Sequence, residues 1–391
     1  MRFARFSIQN FKSLLDFKIN LRPCTVLIGL NGSGKSTVLQ AMDFVCHLVS
    51  PDGLKPWLDA RDWQLSDLYC KLDGGKHSSR NIDFVVLMEG KGDRYEWSGS
   101  FNRSKKFCTT ESVKRQSDGK ELLAVRDSHI VEDETKTPLT IGYQGSVLGA
   151  YKLGESGEHA ILKDIVAFIR QTRSLELLSP VQMRKRVRGT AQDVGIGGER
   201  LSAYLHSLPS PRQMELRLAL HDNYFPQLQS ILTRAMKGGG KRLLVLEKFP
   251  EARSPLITDA SHVNDGMLRL LAIMAETLFN KGCVLVDEIE DGFNPELMQS
   301  LVEYLTETSP AQAVVTTHSP LMLNFLSDET ARESVQLVYK NARGETASVP
   351  FFSLAKTKLR LGVLGPGEVM VDVSLAEMSQ LAAQPEEVAN A

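Results

Sequence analysis

The chain has 391 residues, 42% of them hydrophobic and 24% charged, and a formal net charge of −1. These fractions belong to a folded globular protein, and the near-zero balance excludes nucleic-acid binding by overall charge, leaving only a local patch for that purpose. Five scattered cysteines without C-x-x-C spacing argue against zinc and a disulfide framework and predict a reducing, cytoplasmic setting. No apolar run approaches the roughly 18 residues that span a bilayer, so no membrane partner is expected.

Residues 2–8 and 16–21 have the apolar distribution of strands, with Asn10–Ser13 as the turn between them. The apolar run Thr25–Ile28 then leads into GLNGSGKST at Gly29–Thr37. Helical spacing follows from Ser36 through Val38, Leu39, Ala41, Met42 and Val45. The pattern G-x-x-x-x-G-K-[ST] between a strand and a helix is a phosphate cradle. Its glycines let backbone N–H groups turn onto a polyphosphate at the positive end of the helix. Asn31, Gly32, Ser33, Gly34, Lys35, Ser36 and Thr37 are therefore assigned to ATP. Lys35 reaches the β- and γ-phosphates and the Ser36 hydroxyl ligates Mg²⁺.

From Pro51 to about Pro138, β-like runs (Ile82–Met88, Tyr95–Phe101, Leu122–Val125) alternate with Gly, Asp, Lys and Ser, which predicts an antiparallel β-rich insertion over 51–158. His159–Arg173 reads as a helix, Ser174–Ser179 as a short strand, and Glu199–Ser207 and Gln213–Met236 as helices, giving a helical lid over 159–241. The KGGGK turn at Lys237–Lys241 precedes a strand at Arg242–Glu247. The last third repeats α/β units. Helices at Asn264–Asn280, Pro295–Thr306 and Pro320–Leu326 alternate with apolar strands at Cys283–Val286, Ala313–Thr317 and Val335–Tyr339, which predicts a parallel sheet covered on both faces. The fold class is thus α/β, a P-loop NTPase whose α/β elements fall in 1–50 and 242–350, with a C-terminal extension over 351–391 whose tail from Gln384 is expected to be disordered. No repeat and no long heptad run is present.

Three further constellations carry chemistry. In CVLVDEIE, a buried strand ends in two carboxylates, where open α/β sheets bind ligands. Asp287 is assigned to Mg²⁺, directly or through water, and Glu288 to orienting the attacking water. In AVVTTHSP, a strand leads to His318, which can sense the γ-phosphate and stabilise charge in transfer. In VNDGMLRLLA, Asn264 is the expected N-cap of a helix whose start Asp265-Gly266 leaves sterically open to phosphate. Two phosphate-binding helix ends in one chain predict that two chains share two ATP molecules.

These pieces, in this order, resemble the ABC-type ATPase heads of the RecF/SMC/OLD group, closest to small bacterial RecF-like "AAA family" ATPases. The matching segments are IQNFKSL, LIGLNGSGKST, NDGMLRLLA, LVDEIEDGFNPEL and VTTHSPLML, spread from residue 7 to about 326. The resemblance implies that 1–50 and 242–350 together form one composite head, in which Gly29–Thr37 is the Walker A loop, Asp287-Glu288 the Walker B pair and His318 the switch histidine. Asn264-Asp265-Gly266 then stands for the signature that caps the partner's ATP in trans. Lys12 and Ser13 fall where such heads touch the nucleotide, and Gln182 is the Q-loop residue assigned to the metal site. Asn264 stands where the group usually has Ser, and Glu288-Ile289-Glu290 where it often has Glu-Pro-Glu. The stretch after His318 is expected to be too short for the nuclease domain that OLD proteins carry, which would leave effector action to a separate protein. The implied function is an ATP-dependent, dimerising switch in phage or plasmid defence or DNA maintenance. The alternative is a RecF-like repair ATPase whose basic run Arg184, Lys185, Arg186 and Arg188, with Lys237, Lys241 and Arg242, faces duplex DNA. A transporter ATP subunit fits less well, given the insertion and the altered signature.

Overall fold

In a computed structural model of the chain, residues 1–72, 79–126, 129–132, 135–138, 143–150, 154 and 157–384 are described. They fall into two units, Met1–Thr172 with Val314–Ala391, and Arg173–Ala313.

The first unit opens with Arg2–Phe11 (β1) and Leu14–Asn20 (β2), an antiparallel pair whose alternate residues Phe6, Ile8, Phe17 and Ile19 are buried. Asn10 and Lys12 turn the chain with φ of 63° and 50°. Cys24–Ile28 (β3), buried at every position, follows. Next come Asn81–Gly90 (β4), Asp93–Asn102 (β5), Phe107–Arg115 (β6), Glu121–Arg126 (β7), His129–Glu132 (β8) and Thr135–Pro138 (β9). The β-rich stretch expected as an insertion shares one antiparallel sheet with the N-terminal hairpin, in the order β2-β1-β4-β5-β6-β7-β8-β9. The cause is the free edge of β1. It takes β4 with Phe6 opposite Val86 and Ile8 opposite Phe84, so that both strands bury the same face. That face carries Phe11 and Phe101, which meet Phe44 of helix Lys35–His47 at ring-centroid distances of 5.5 and 5.4 Å. Phe3 meets Phe168 of helix Glu158–Arg170 at 4.7 Å. The helix after the phosphate loop is thus fixed by aromatic packing on the sheet.

In the second unit the strands are Arg173–Leu175 (β10), Leu228–Ala235 (β11), Lys241–Glu247 (β12), Leu256–Asp259 (β13) and Cys283–Val286 (β14). β10 runs parallel to β14, and β11-β12-β13 form an antiparallel sheet. The helix expected over Gln213–Met236 is corrected. It spans Ser210–Asn223, and Pro226 separates it from β11. Leu228, Ile231 and Leu232 have helical spacing, but β12 satisfies their backbone instead, across a turn in which the Met236 N–H donates to the Gly240 carbonyl at 2.9 Å. The stretch assigned to a helical lid therefore contains a strand and part of a hairpin. Helix Asp265–Thr277 is buried from Gly266 onward.

Glu276 on that helix is 2% exposed and accepts the Val194 N–H at 2.6 Å, with Arg173 at 3.8 Å. Burial pushes its carboxyl up to about 7, against the pull of Arg173. Its folded value lies above its unfolded one, so its stabilisation is complete below the unfolded value of 4.5 and is lost as pH rises through 7. Glu276→Gln keeps an acceptor for Val194 and removes the ionisation. It is expected to flatten the fall in melting temperature between about pH 5 and about pH 7.5. An unchanged fall in the variant would contradict this account.

The chain returns to the first unit along Gln312–Thr316 (β15), then forms Val335–Lys340 (β16) and Thr346–Pro350 (β17). β16 runs parallel to β3, with Gln336 opposite Leu27, and antiparallel to β17. Helices Ala355–Arg360, Pro366–Asp372 and Leu375–Ala382 follow, and the Tyr339 hydroxyl donates to the Ala382 carbonyl at 2.7 Å. The tail expected to be disordered lies, beyond Gln384, outside the described residues. Among the described residues no helix is long and apolar enough to cross a membrane.

Candidate nucleotide site

β3 delivers the chain to a loop in which Gly29, Gly32 and Gly34 all have positive φ, as the motif requires. Gly34 has a φ of 109°, and a Cβ there would stand 2.5 Å from Thr346 Oγ1. Thr346 lies on β17 and braces the loop. Its hydroxyl donates to the Ser33 carbonyl at 3.0 Å and bonds the Ser13 hydroxyl at 2.8 Å, and Lys340 Nζ donates to it at 3.2 Å.

Lys35 opens the following helix and is 6% exposed. Its Nζ donates to the Gly29 carbonyl at 3.0 Å and the Leu30 carbonyl at 3.2 Å, which holds the ammonium over the cradle. The helix has no side-chain cap and no acid in its first turn, and the buried Ser33 hydroxyl has no hydrogen-bond partner. Positive charge and polar hydrogen-bonding capacity therefore gather at one place, which suits a polyphosphate. Asn31 and Gly32 are exposed, and Ser36 and Thr37 half-buried.

Lys12 Nζ donates to Gln40 Oε1 at 3.0 Å and stands 3.4 Å from the centre of the Trp63 ring. Lys12 and Ser13, with Asp62, Trp63, Asp67 and Tyr69 among others, line a cavity of about 570 Å³. His318 is exposed in the same unit as the loop. Its neighbour Thr317 is tied to β3 by an N–H donated to the Leu27 carbonyl at 3.1 Å.

The other assigned residues lie in the second unit. β14, buried throughout, ends at Val286, directly before the half-buried Asp287 and the exposed Glu288. Glu288 has a φ of 48°, a left-handed conformation that costs a non-glycine residue about 1–3 kcal/mol and clusters at functional sites. Asn264 is the N-cap expected, its Oδ1 accepting the Met267 N–H at 2.8 Å. A Cβ on Gly266 would stand 2.4 Å from the Gly292 carbonyl oxygen, so the missing side chain admits the neighbouring turn. Asp265 is paired with Arg184 at 2.5 Å. Gln182 is half-buried in the short helix Pro180–Met183.

The basic run is divided. Arg184 donates to the Ala260 and Val263 carbonyls as well as to Asp265, because the turn ahead of helix Asp265–Thr277 needs donors. Arg186 reaches Asp259 at 3.4 Å, and Arg242 bonds the same carboxylate at 2.5 Å. Lys185, Arg188 and Lys237 remain exposed, and Lys241 is half-buried.

Residues 1–83 match a family model described as "AAA ATPase domain", and residues 177–324 one described as "AAA domain, putative AbiEii toxin, Type IV TA system". The phosphate loop lies within the first match, and Asn264, Asp287, Glu288 and His318 within the second. The DNA double-strand break repair Rad50 ATPase of Halobacterium salinarum is 50% identical over 48 residues, 12% of this chain and 5% of that protein. The OLD nuclease of Thermus scotoductus is 31% identical over 98 residues, 25% of this chain and 16% of that protein. The chain thus spans only a small part of the length of either relative. An SMC head bound to the C-winged helix domain of ScpA shares the fold at 13% identity and a TM-score of 0.53, over 89% of this chain and 98% of that one. An Smc head with an extended coiled coil, bound to the C-terminal domain of ScpA from Pyrococcus furiosus, does so at 11% identity and a TM-score of 0.50, over 92% and 99%.

The chain is thus similar in sequence to AAA ATPase domains over residues 1–83 and 177–324 and shares the fold of SMC heads. Several residues that shape this head were not visible in its motifs. Thr346 braces the loop across 313 positions from Ser33, and no local pattern marks it. Trp63 and Tyr69 sit in a stretch without periodicity. Arg269 lies in the middle of an apolar helix, and that misplaced charge was the one signal available.

Proposed function

We propose that this head binds ATP with Mg²⁺, hydrolyses it, and works as a switch in which two copies close around shared ATP to regulate or load a separate effector. The setting proposed is phage or plasmid defence or DNA maintenance. The phosphate loop is the observation that carries the reading, with Lys35 held over a cradle that has a free helix start and an orphaned Ser33 hydroxyl. Ser36 and Asp287 would hold Mg²⁺, with Gln182 near it, and the ion supplies charge neutralisation on the phosphates. Lys35 binds the β- and γ-phosphates, Glu288 orients the water, and His318 donates to the γ-phosphate. Lys12 and Ser13 contact the nucleotide beside the loop. Asn264, Asp265 and Gly266 meet the ATP of the second copy. Phosphate release from ATP and Mg²⁺ tests the reading. Turnover that stops with a chelator is expected, and absence of turnover in the nucleotide-bound protein would reject it.

Direct action on duplex DNA is the second reading, and it has lost part of its support, since Arg184 and Arg186 are engaged within the chain. Lys185, Arg188 and Lys237 remain. Any duplex binding should therefore be independent of sequence, with a log–log salt slope no steeper than about −3, at roughly 0.9 per contact. Alanine at all three positions should bring the slope close to zero. Electrophoretic shifts at two salt concentrations check this, and a steep slope that survives the triple variant would place a DNA surface elsewhere.

A further inference from the structure

We infer that Arg269 is a positioning residue, fixing the backbone of Glu288 and tying it to the start of helix Asp265–Thr277, so that whatever meets Asn264–Gly266 also sets the placement of Glu288. This rests on the reading of Glu288 as the residue that orients water. All the parts lie within the second unit.

Arg269 is 6% exposed on a helix otherwise buried by small and apolar residues, Glu276 and Thr277 excepted. Such a charge is costly unless its donors are used. One terminal nitrogen donates to the Leu178 carbonyl at 3.1 Å and the other to the Glu288 carbonyl at 3.2 Å. The Asp291 carboxylate stands 3.7 Å from the first of these nitrogens. The same Glu288 carbonyl accepts the Asp291 N–H at 3.1 Å.

Two donors on one carbonyl fix the peptide plane that follows Glu288. With φ at 48°, that plane and β14 together determine where its Cα–Cβ bond points. A conformation of this kind persists only where the surroundings over-determine it. Arg269 supplies part of that constraint.

The second link is a backbone contact. A Cβ on Gly266 would stand 2.4 Å from the Gly292 carbonyl oxygen, and one on Gly292 would stand 3.5 Å from Arg269 Cδ. The first turn of the helix, the Arg269 side chain and the turn Glu288–Gly292 therefore pack as one piece. A displacement of the helix start is passed to Glu288 rather than absorbed between them.

The consequence is a change in turnover without a change in nucleotide affinity. In the 391-residue chain, Arg269→Met keeps the bulk and removes the donors. It should lower kcat about ten- to a hundred-fold, as small misplacements of a reacting group do, while KM and the Kd of a fluorescent ATP analogue stay within about twofold. Arg269→Lys should recover part of the loss, because an ammonium still reaches one carbonyl. Asp291→Asn, on a half-exposed side chain, should lower kcat by a smaller factor. It supplies the test if Arg269→Met does not fold. The deciding comparison is with Glu288→Gln. If Arg269 acts through Glu288, neither Arg269→Met nor Asp291→Asn should slow that background further. The same fractional loss in both backgrounds, or an unchanged kcat in folded Arg269→Met, would overturn the inference. Wild-type turnover by Glu288→Gln itself would instead reject the role given to Glu288.

Discussion

Lys35→Ala is expected to abolish ATP binding at physiological nucleotide concentrations. The Lys35 ammonium is nearly fully buried and is held over the loop by the Gly29 and Leu30 carbonyls, so its desolvation has already been met in folding. A phosphate entering the cradle exchanges those carbonyls for charged oxygens at little reorganisation. Removing one side of a buried charge pair costs about 2–5 kcal/mol, or roughly thirty- to several-thousand-fold in Kd. Calorimetric titration of the wild type and the variant checks this. The melting temperature of the nucleotide-free proteins separates lost binding from lost folding. Comparable affinity in the two would remove Lys35 from the site.

Glu288→Gln should behave oppositely, binding ATP within about twofold of wild type while turnover falls by about 10²–10⁴. Glutamine has the same shape and can occupy the same backbone conformation at a φ of 48°, but it cannot accept a proton from water. The exposed side chain at the end of a buried strand contributes little to folding, so the loss should appear in kcat alone. Single-turnover phosphate release measures it. An unchanged rate would move the role to another carboxylate of the turn, with Glu290 and Asp291 the nearest in sequence.

What the sequence made legible was local. The glycines of the loop, the strand leading to Asp287-Glu288 and the Asn264 cap are each specified by neighbours within a few residues, and each has the conformation its pattern demands. Contacts between distant segments were not legible. Thr346 under Gly34, β4 on the edge of β1 and Arg269 on the Glu288 carbonyl depend on which surfaces meet after folding. Leu228–Ala235 was misread because its apolar spacing suits a helix as well as a strand, and only the partner strand β12 decides between them. Gly266 reads in the sequence as a residue that leaves the helix start open to phosphate, and the group its missing side chain admits is the Gly292 carbonyl of its own unit. Substitution there would disturb the fold along with any assembly.

The shared-nucleotide arrangement is therefore best tested without touching Gly266. Light scattering of Glu288→Gln with Mg²⁺ and ATP, with Mg²⁺ and ADP, and without nucleotide measures it directly. Twice the mass of the chain with ATP, and the mass of a single chain in the other two conditions, is the predicted result. A single-chain mass in saturating ATP, or the same dimer whether or not nucleotide is present, would contradict it.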